Sequence, residues 1–361
     1  MDKPKSHKKM KGAILNKPNV IKVKQALIPE PSAGEVRIKL KMIGVCGSDV
    51  HLFLGHRLLE KPTIIGHEGL GYIDKLGAGV LNRNIGERVV IEPNIPCCLC
   101  KYCRSGRGNI CVNKRVIGVN EVGCFAEYIC LPEAFCWGIS DTISDADAVT
   151  IEPMVVGYSA LFASKAQSGD TIAVIGLGAI GLLLTHLALA LGYKVLVTEL
   201  NEKKLKMATD LGAIATNDLQ NIKKSEKNGQ NTEGSPASKE GEILAKIWEE
   251  NDVVAVFECA GSAYTASLVT AAAPRGSEIV LVGLSENLAT FKPLKIARES
   301  ITIVPSIIYD HPFDFKRTIQ LIESKIIRPS FIISRYMDLN DIQAALEIAA
   351  KGDDSKIVIT V

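Results

Sequence analysis

Between Asp170 and Ala190 an apolar run, a glycine-rich turn and a second apolar run follow one another, and no other stretch limits the fold as strongly. Asp170-Thr171-Ile172-Ala173-Val174-Ile175 lacks polar alternation, the pattern of a strand buried on both faces. Gly176-Leu177-Gly178-Ala179-Ile180-Gly181 follows directly and opens a helix. A second strand, residues 194–198, ends in Glu199, near the spacing at which a carboxylate meets an adenosine ribose. Alone, such a glycine motif is also met as a tight turn with a helix-capping acid. With the strand before it, the helix after it and the acid beyond, it predicts an α/β fold with a parallel, doubly wound sheet. Glycines let the backbone approach a pyrophosphate, and the helix N-terminus offers free N–H groups. Gly176, Leu177, Gly178, Ile180 and Gly181 are therefore expected to bind a dinucleotide. Glu199 would accept hydrogen bonds from ribose hydroxyls and repel a 2′-phosphate, which favours NAD over NADP. Later strands, residues 252–257 and 278–282, end in Glu258-Cys259-Ala260-Gly261 and Val282-Gly283-Leu284. Ligands bind outside the carboxyl ends of parallel strands, so Val282, Gly283 and Leu284 are expected beside the nicotinamide.

A second set of residues carries different chemistry. Cys46-Gly47-Ser48-Asp49-Val50-His51 is followed by Gly66-His67-Glu68. Thiolate, imidazole and carboxylate are the ligand types that borderline-soft zinc prefers. Ser48 and His51 lie close by and can carry protons. The expectation is a catalytic zinc with a route for removing a proton from an alcohol; a turn with a buried cysteine and a satisfied histidine is the alternative. Cys97, Cys100, Cys103 and Cys111 have two, two and seven residues between them. Four thiolates so close can complete a tetrahedron and leave no position for substrate, as in a structural zinc site; clustered cysteines also hold iron–sulfur clusters. Cys98 reads as a bystander, Cys124, Cys130, Cys136 and Cys259 as small buried apolar residues, and His56, His186 and His311 as structural.

At 361 residues the chain is long enough for two domains. Its net charge of +2 argues against nucleic acid or a membrane surface as partner. Residues 175–193 are apolar enough to resemble a membrane span, but their glycines, Thr185 and His186 fit a buried α/β helix better. Five of the ten cysteines crowd between Cys97 and Cys111, unlike a secreted disulfide framework, and Met1-Asp2-Lys3-Pro4 opens no leader. A reduced, cytoplasmic, metal-binding protein is expected. Residues 1–9 read as a polar tail and 218–242 as a solvated loop. Short alternating runs from Lys11 onward read as antiparallel strands, and a closing strand at 356–361 is expected to rejoin the first domain. The boundaries expected are 10–155 with 297–361 for a β-rich catalytic domain, and 156–296 for the dinucleotide domain.

Taken in order, Cys46-Gly-Ser-Asp-x-His51, Gly66-His-Glu68, the cysteine lobe, Glu152-Pro153 and Gly176–Gly181 with Glu199 resemble the zinc-containing medium-chain dehydrogenase/reductase superfamily, and within it the polyol (sorbitol-type) and diol dehydrogenases. The resemblance runs from Lys11 to the C-terminus. It implies a GroES-like catalytic domain, a Rossmann coenzyme domain, two zincs per chain, NAD, and a homodimer or homotetramer, with the strand ending at Val282 a candidate for pairing across a dimer axis. Glu152 stands where relatives have a third ligand position; either Glu68 or Glu152 would complete the zinc site with Cys46 and His67, and the other would hydrogen-bond the zinc water. Lys204 matches a basic residue that lies near the adenosine in relatives. Ser306-Ile307-Ile308-Tyr309 lacks the arginine that sorbitol-type enzymes carry for substrate hydroxyls, which points to a smaller or less polar diol. The implied activity is hydride transfer from a secondary alcohol of a polyol, diol or sugar-derived substrate to NAD. A threonine-type amino-alcohol dehydrogenase shares the same signature, and a zinc-stabilised dinucleotide-binding protein without chemistry is the alternative of another class.

Overall fold

Strand Glu35–Gly44 shows why the first part of the chain becomes sheet: Val36, Ile38 and Leu40 point into the core while Lys39 between them is exposed, the period-2 pattern of a half-buried strand. In the computed structural model, which describes residues 8–216 and 239–361, the chain divides into two units. Met1–Glu152 and Asp310–Val361 form the first, and Pro153–Tyr309 the second.

The first unit is built on a seven-stranded sheet. Its order is Cys136–Gly138, Arg88–Ile91, Glu68–Leu76, Glu35–Gly44, Lys356–Thr360, Ile333–Asp338, with Tyr128–Pro132 also on Glu35–Gly44. A smaller antiparallel sheet joins Val20–Leu27, Lys9–Lys17 and Thr63–Ile64. Lys9 thus already belongs to a strand and not to the expected tail. Ile38, Ile43, Phe53, Ile65, Ile91 and Phe125 fill the core between these sheets; each such side chain contributes about 1.5–3 kcal/mol by leaving water. The closing strand rejoins this unit as expected, antiparallel to Glu35–Gly44 through Val358↔Gly44.

The second unit is a six-stranded parallel sheet in the order Ile214–Ala215, Lys194–Thr198, Thr171–Ile175, Val253–Glu258, Glu278–Leu281, Thr302–Pro305. The order reverses beside Thr171–Ile175, which makes the tip of that strand a topological switch point. Helix Ala179–Ala190 accounts for the apolar stretch at 175–193: Leu182, Leu183, Leu184 and Leu187 are fully buried. Among the described residues no helix is long and apolar enough to cross a membrane.

Three expectations are corrected. The second unit runs to Tyr309 and not 296, because Thr302–Pro305 adds a further parallel strand through Glu278↔Thr302. The strand Glu278–Leu281 has a neighbour on both sides, Val253–Glu258 and Thr302–Pro305, so its edges are spent and it cannot pair across a dimer axis. Of the loop expected at 218–242, residues 218–238 lie outside the described residues; 239–242 are the first turn of helix Lys239–Glu250, whose Leu244 and Trp248 are buried.

Candidate functional site

Cys46 occupies the N-cap of helix Gly47–Leu54, where its backbone N–H donates to Asp49 Oδ2 at 3.0 Å. Asp49, fully buried, also accepts from Gly66 N–H through Oδ1 at 3.2 Å. One carboxylate therefore ties the Cys46 turn to the His67 turn. The Nδ1 edge of His67 faces the same Oδ1 at 3.3 Å, off the line of an ideal hydrogen bond, so charge more than direction holds the pair. A carboxylate behind a histidine in this way orients the ring and leaves its other nitrogen for a metal.

Glu68 opens the next strand opposite Gly44. A Cβ at position 44 would lie 1.9 Å from Glu68 Oε2, so glycine there makes room for the carboxylate. From the closing strand the buried Lys356 donates to both oxygens of Glu68 at 2.7 Å and to Val45 O at 3.1 Å. Ligand atoms of Cys46, His67 and Glu68 all lie within 4.8 Å of one another; Glu152 is outside that set. Glu152, in the first turn of helix Ile151–Ala163, is buried close by. Burial, with Glu68 and Asp49 adding to it, pushes its carboxyl up to about 7 against the pull of His67 and Lys356. Burial also works to lower the His67 pKa, but Asp49 and Cys46 overcome it and hold the imidazole well above its usual range. The field at this point thus favours positive charge, and the donor set, one sulfur, one nitrogen and one carboxylate, suits zinc with a position left open. Ser48 and His51 are exposed on the same short helix.

Cys97, Cys100, Cys103 and Cys111 are brought together as well, with all four sulfurs within 4.8 Å. The sulfurs of Cys100 and Cys103 are 3.5 Å apart, Cys100 and Cys111 3.9 Å, and Cys97 and Cys103 4.0 Å. A tetrahedron with zinc–sulfur bonds of about 2.3 Å has edges of about 3.8 Å, so one ion fits, whereas a multi-iron cluster would need the thiolates farther apart. Backbone N–H groups, that of Cys103 foremost, pull the Cys100 thiol down to about 6, while burial and the neighbouring thiols push that of Cys103 up to about 12, so the four sulfurs do not ionise alike without an ion. Cys98 stands outside the four-sulfur set, exposed at φ 58°. Burial pushes the thiols of Cys124, Cys130, Cys136 and Cys259 upward; Cys124 and Cys136 are buried as expected, whereas Cys130 and Cys259 are half-buried.

In the second unit Gly176 adopts φ 88°, where a Cβ would meet Ala260 at 2.6 Å, and a Cβ on Gly181 would lie 1.9 Å from Gly176 O. The glycine turn and the helix behind it can approach this closely only without side chains. Glu199 Oε2 accepts from Leu177 N–H at 2.7 Å, and its Oε1 from Leu200 and Asn201 N–H. Gly176 and Glu199 line a cavity of about 250 Å³ with Ile175, Leu200, Tyr264 and Leu268 among its walls. Lys204 is not among the cavity-lining residues; its N–H donates to Asn201 at the start of helix Glu202–Asp210. Val282 and Gly283 follow the strand tip, both N–H groups held by Glu258 O, while Leu284 is exposed.

Two site residues escaped the sequence reading. Asp49 stands inside the Cys46–His51 motif, and its place three residues after an N-cap position is a signal that was available. Lys356 is a lone lysine in an apolar closing strand, which reads equally well as an edge charge.

Comparison with known proteins agrees with this geometry. Residues 32–141 match the alcohol dehydrogenase GroES-like domain family and residues 179–324 the zinc-binding dehydrogenase family. Sorbitol dehydrogenase of Bacillus subtilis is 30% identical over 97% of this chain and 97% of its own length. An alcohol dehydrogenase (rspB) of Escherichia coli CFT073, solved with NADH, superposes with TM-score 0.85 at 28% identity, covering 98% of this chain and 99% of that one. A putative zinc-binding dehydrogenase of Sinorhizobium meliloti 1021, solved with NADP, gives TM-score 0.85 at 28% identity over 98% of this chain and 100% of that one.

Proposed function

The chain belongs to the zinc-containing medium-chain dehydrogenase/reductase superfamily, close to its polyol dehydrogenases, and from that premise we propose that it oxidises a secondary alcohol of a polyol, diol or sugar-derived substrate with NAD as hydride acceptor. The observation that carries this reading is the convergence of Cys46, His67 and Glu68 donor atoms within 4.8 Å, with Asp49 behind His67. Cys46, His67 and Glu68 would hold the catalytic zinc; Cys97, Cys100, Cys103 and Cys111 a structural one. When bound, zinc supplies Lewis acidity that lowers the pKa of a substrate hydroxyl by several units. Asp49 keeps His67 in register, and Lys356 balances the charge of Glu68. Glu152, whose carboxyl burial raises to about 7, would hold a proton near His67 and Glu68. Ser48 and His51 take the hydroxyl proton outward, a task that suits an imidazole.

On the coenzyme side the Gly176–Gly181 turn would cradle the pyrophosphate, and Glu199 would face the adenosine ribose. Its carboxylate repels a 2′-phosphate, which is why NAD is proposed although a relative was solved with NADP. The segment Ser306–Tyr309 offers no arginine for extra substrate hydroxyls, so a short diol is favoured over a hexitol.

The test is a panel of vicinal diols, hexitols, sugar acids and threonine, scored by reduction of NAD and of NADP, with zinc counted per chain. Two zincs and turnover of a diol with NAD are expected. A single zinc and no turnover of any alcohol would sink the enzyme reading. Glu199→Ala should raise the efficiency with NADP relative to NAD by about tenfold, some 1.4 kcal/mol.

A further inference from the structure

Helix Gly47–Leu54 ends in a turn that brings two histidines together. Gly55 adopts φ 80°, and its N–H reaches back to His51 O and Leu52 O. A Cβ there would sit 2.6 Å from Pro18 Cγ, besides being strained by the left-handed backbone. The reversal carries His56 N–H onto His51 O at 3.0 Å and Arg57 N–H onto the same oxygen at 3.4 Å. It also lays the His56 ring against the His51 ring, centroids 5.3 Å apart and planes at 57°. The two Nδ1 atoms are 3.2 Å apart.

A neutral imidazole has one N–H and one lone pair. Two Nδ1 atoms at this distance can share one hydrogen; two N–H groups face to face would repel. One ring therefore dictates which nitrogen of the other carries its hydrogen. We propose that His56 is a positioning residue for the proton route: it accepts from His51 Nδ1–H, so that His51 presents the Nε2 lone pair to the proton leaving the substrate. This rests on the alcohol-oxidising reading above. When Nε2 takes that proton, the N–H bond formed there makes His51 an imidazolium. Its Nδ1–H then donates to a lone pair instead of facing solvent, and the charge sits in the last turn of a helix, where the dipole favours cations. The proton is lost to water from the exposed pair, and His51 returns to its starting tautomer.

The one carboxylate on the helix, Asp49, does not compete as acceptor: it is buried and engaged by Cys46 and Gly66. Arg57, Lys17, Glu60 and Lys61 line the neighbouring loop cavity, and Glu347 is carried by helix Ile342–Ala349, which packs against this one.

The experiment uses the zinc-loaded enzyme with its best alcohol from the panel. His51→Gln should lower kcat by about a hundredfold, in the range of lost acid–base catalysis. His56→Phe keeps ring volume and removes the acceptor; kcat should fall about tenfold, with KM for alcohol and NAD and the zinc count unchanged. His56→Gln, which still offers an oxygen, should recover most of the loss, and added imidazole should rescue His56→Phe in part. Nitrogen-15 NMR of the ring nitrogens should find His51 as the Nδ1–H tautomer in the parent and as Nε2–H in His56→Phe. Should His56→Phe fold poorly, the tautomer of His51 in the parent decides alone. A His51→Gln defect together with an unaffected His56→Phe, or His51 already Nε2–H in the parent, overturns the positioning role. If His51→Gln also turns over normally, the proton route through His51 falls and the role of His56 with it.

Discussion

The two clusters that could hold a metal gather their side chains by opposite means. The cysteine lobe draws all four sulfurs from one short stretch, Cys97 to Cys111, and three of them stay partly exposed. The Cys46 cluster joins the N-cap of one helix, the start of a strand and, through Lys356, the last strand of the chain. The lobe is locally complete, and its ligand set is uniform. The Cys46 cluster is mixed in ligand type and deeply supported: Asp49, Lys356 and Glu152 are all buried around it. A uniform, saturated set has nothing to offer a substrate and can only brace the loop. A mixed set with charged groups behind it can hold an ion firmly and still leave a position open.

The sharpest way to break this contrast is to remove one sulfur from each. Cys46→Ser should cost about a thousandfold or more in kcat, since the step it supports loses its Lewis acid, while the melting temperature moves by only a few degrees. Cys100→Ser should do the reverse. The lobe loses a metal clip whose binding energy is folding energy, the melting temperature drops by about 10 °C, and kcat per correctly folded molecule stays within a few-fold. Zinc analysis should find one ion remaining in each. Equal effects of the two substitutions on turnover would erase the distinction.

The next test concerns the support and not the ligands. Lys356→Met leaves Glu68 buried beside Glu152 and Asp49 with no cation of its own. Breaking a buried pair by removing one partner costs about 3–5 kcal/mol, and support of this kind is worth about 10–100-fold in metal affinity. A titration with a competing chelator should therefore show weaker retention of the catalytic zinc, with the lobe zinc unmoved. Unchanged retention would mean that Lys356 merely fills space.

The same contrast governs what could be read in advance. The lobe and the Gly176–Gly181 turn were legible because each is a local motif whose geometry its own spacing dictates. So were the parallel sheet, the antiparallel strands and the return of the last strand. Lys356 was not, since it meets Glu68 from 288 positions away and a lysine in a closing strand usually points to water. Glu68 and Glu152 could not be told apart, because only the packing puts Glu68 within 4.8 Å of Cys46 and His67 and leaves Glu152 out of that set. Residues 302–305 fall beyond the boundary expected at 296 for a related reason: the sequence does not say that this strand pairs parallel to Glu278–Leu281. His56 reads as a structural histidine until the Gly55 turn is seen to fold it back onto His51.

The smallest expected effect separates Glu152 from the ligands by pH. Its carboxyl is raised from 4.5 to about 7, chiefly by burial. A raised acid binds more protons folded than unfolded, so its contribution to stability is fully present below the unfolded value and is lost as pH rises through the folded one. In the chelator-treated protein, the wild type should therefore lose stability relative to Glu152→Gln between about pH 4.5 and 7. At about 1.4 kcal/mol per unit, the ceiling is on the order of 3 kcal/mol, and neighbouring titrations will lower it. His67, also raised, titrates in both proteins and largely cancels from the difference. Adding zinc places a divalent charge beside the carboxylate, lowers its pKa and should flatten the difference curve. The two melting curves, followed against pH with and without zinc, make the comparison. A pH-independent difference in the metal-free protein would put Glu152 in contact with water, away from the open metal position, and would leave Glu68 as the carboxylate that the site depends on.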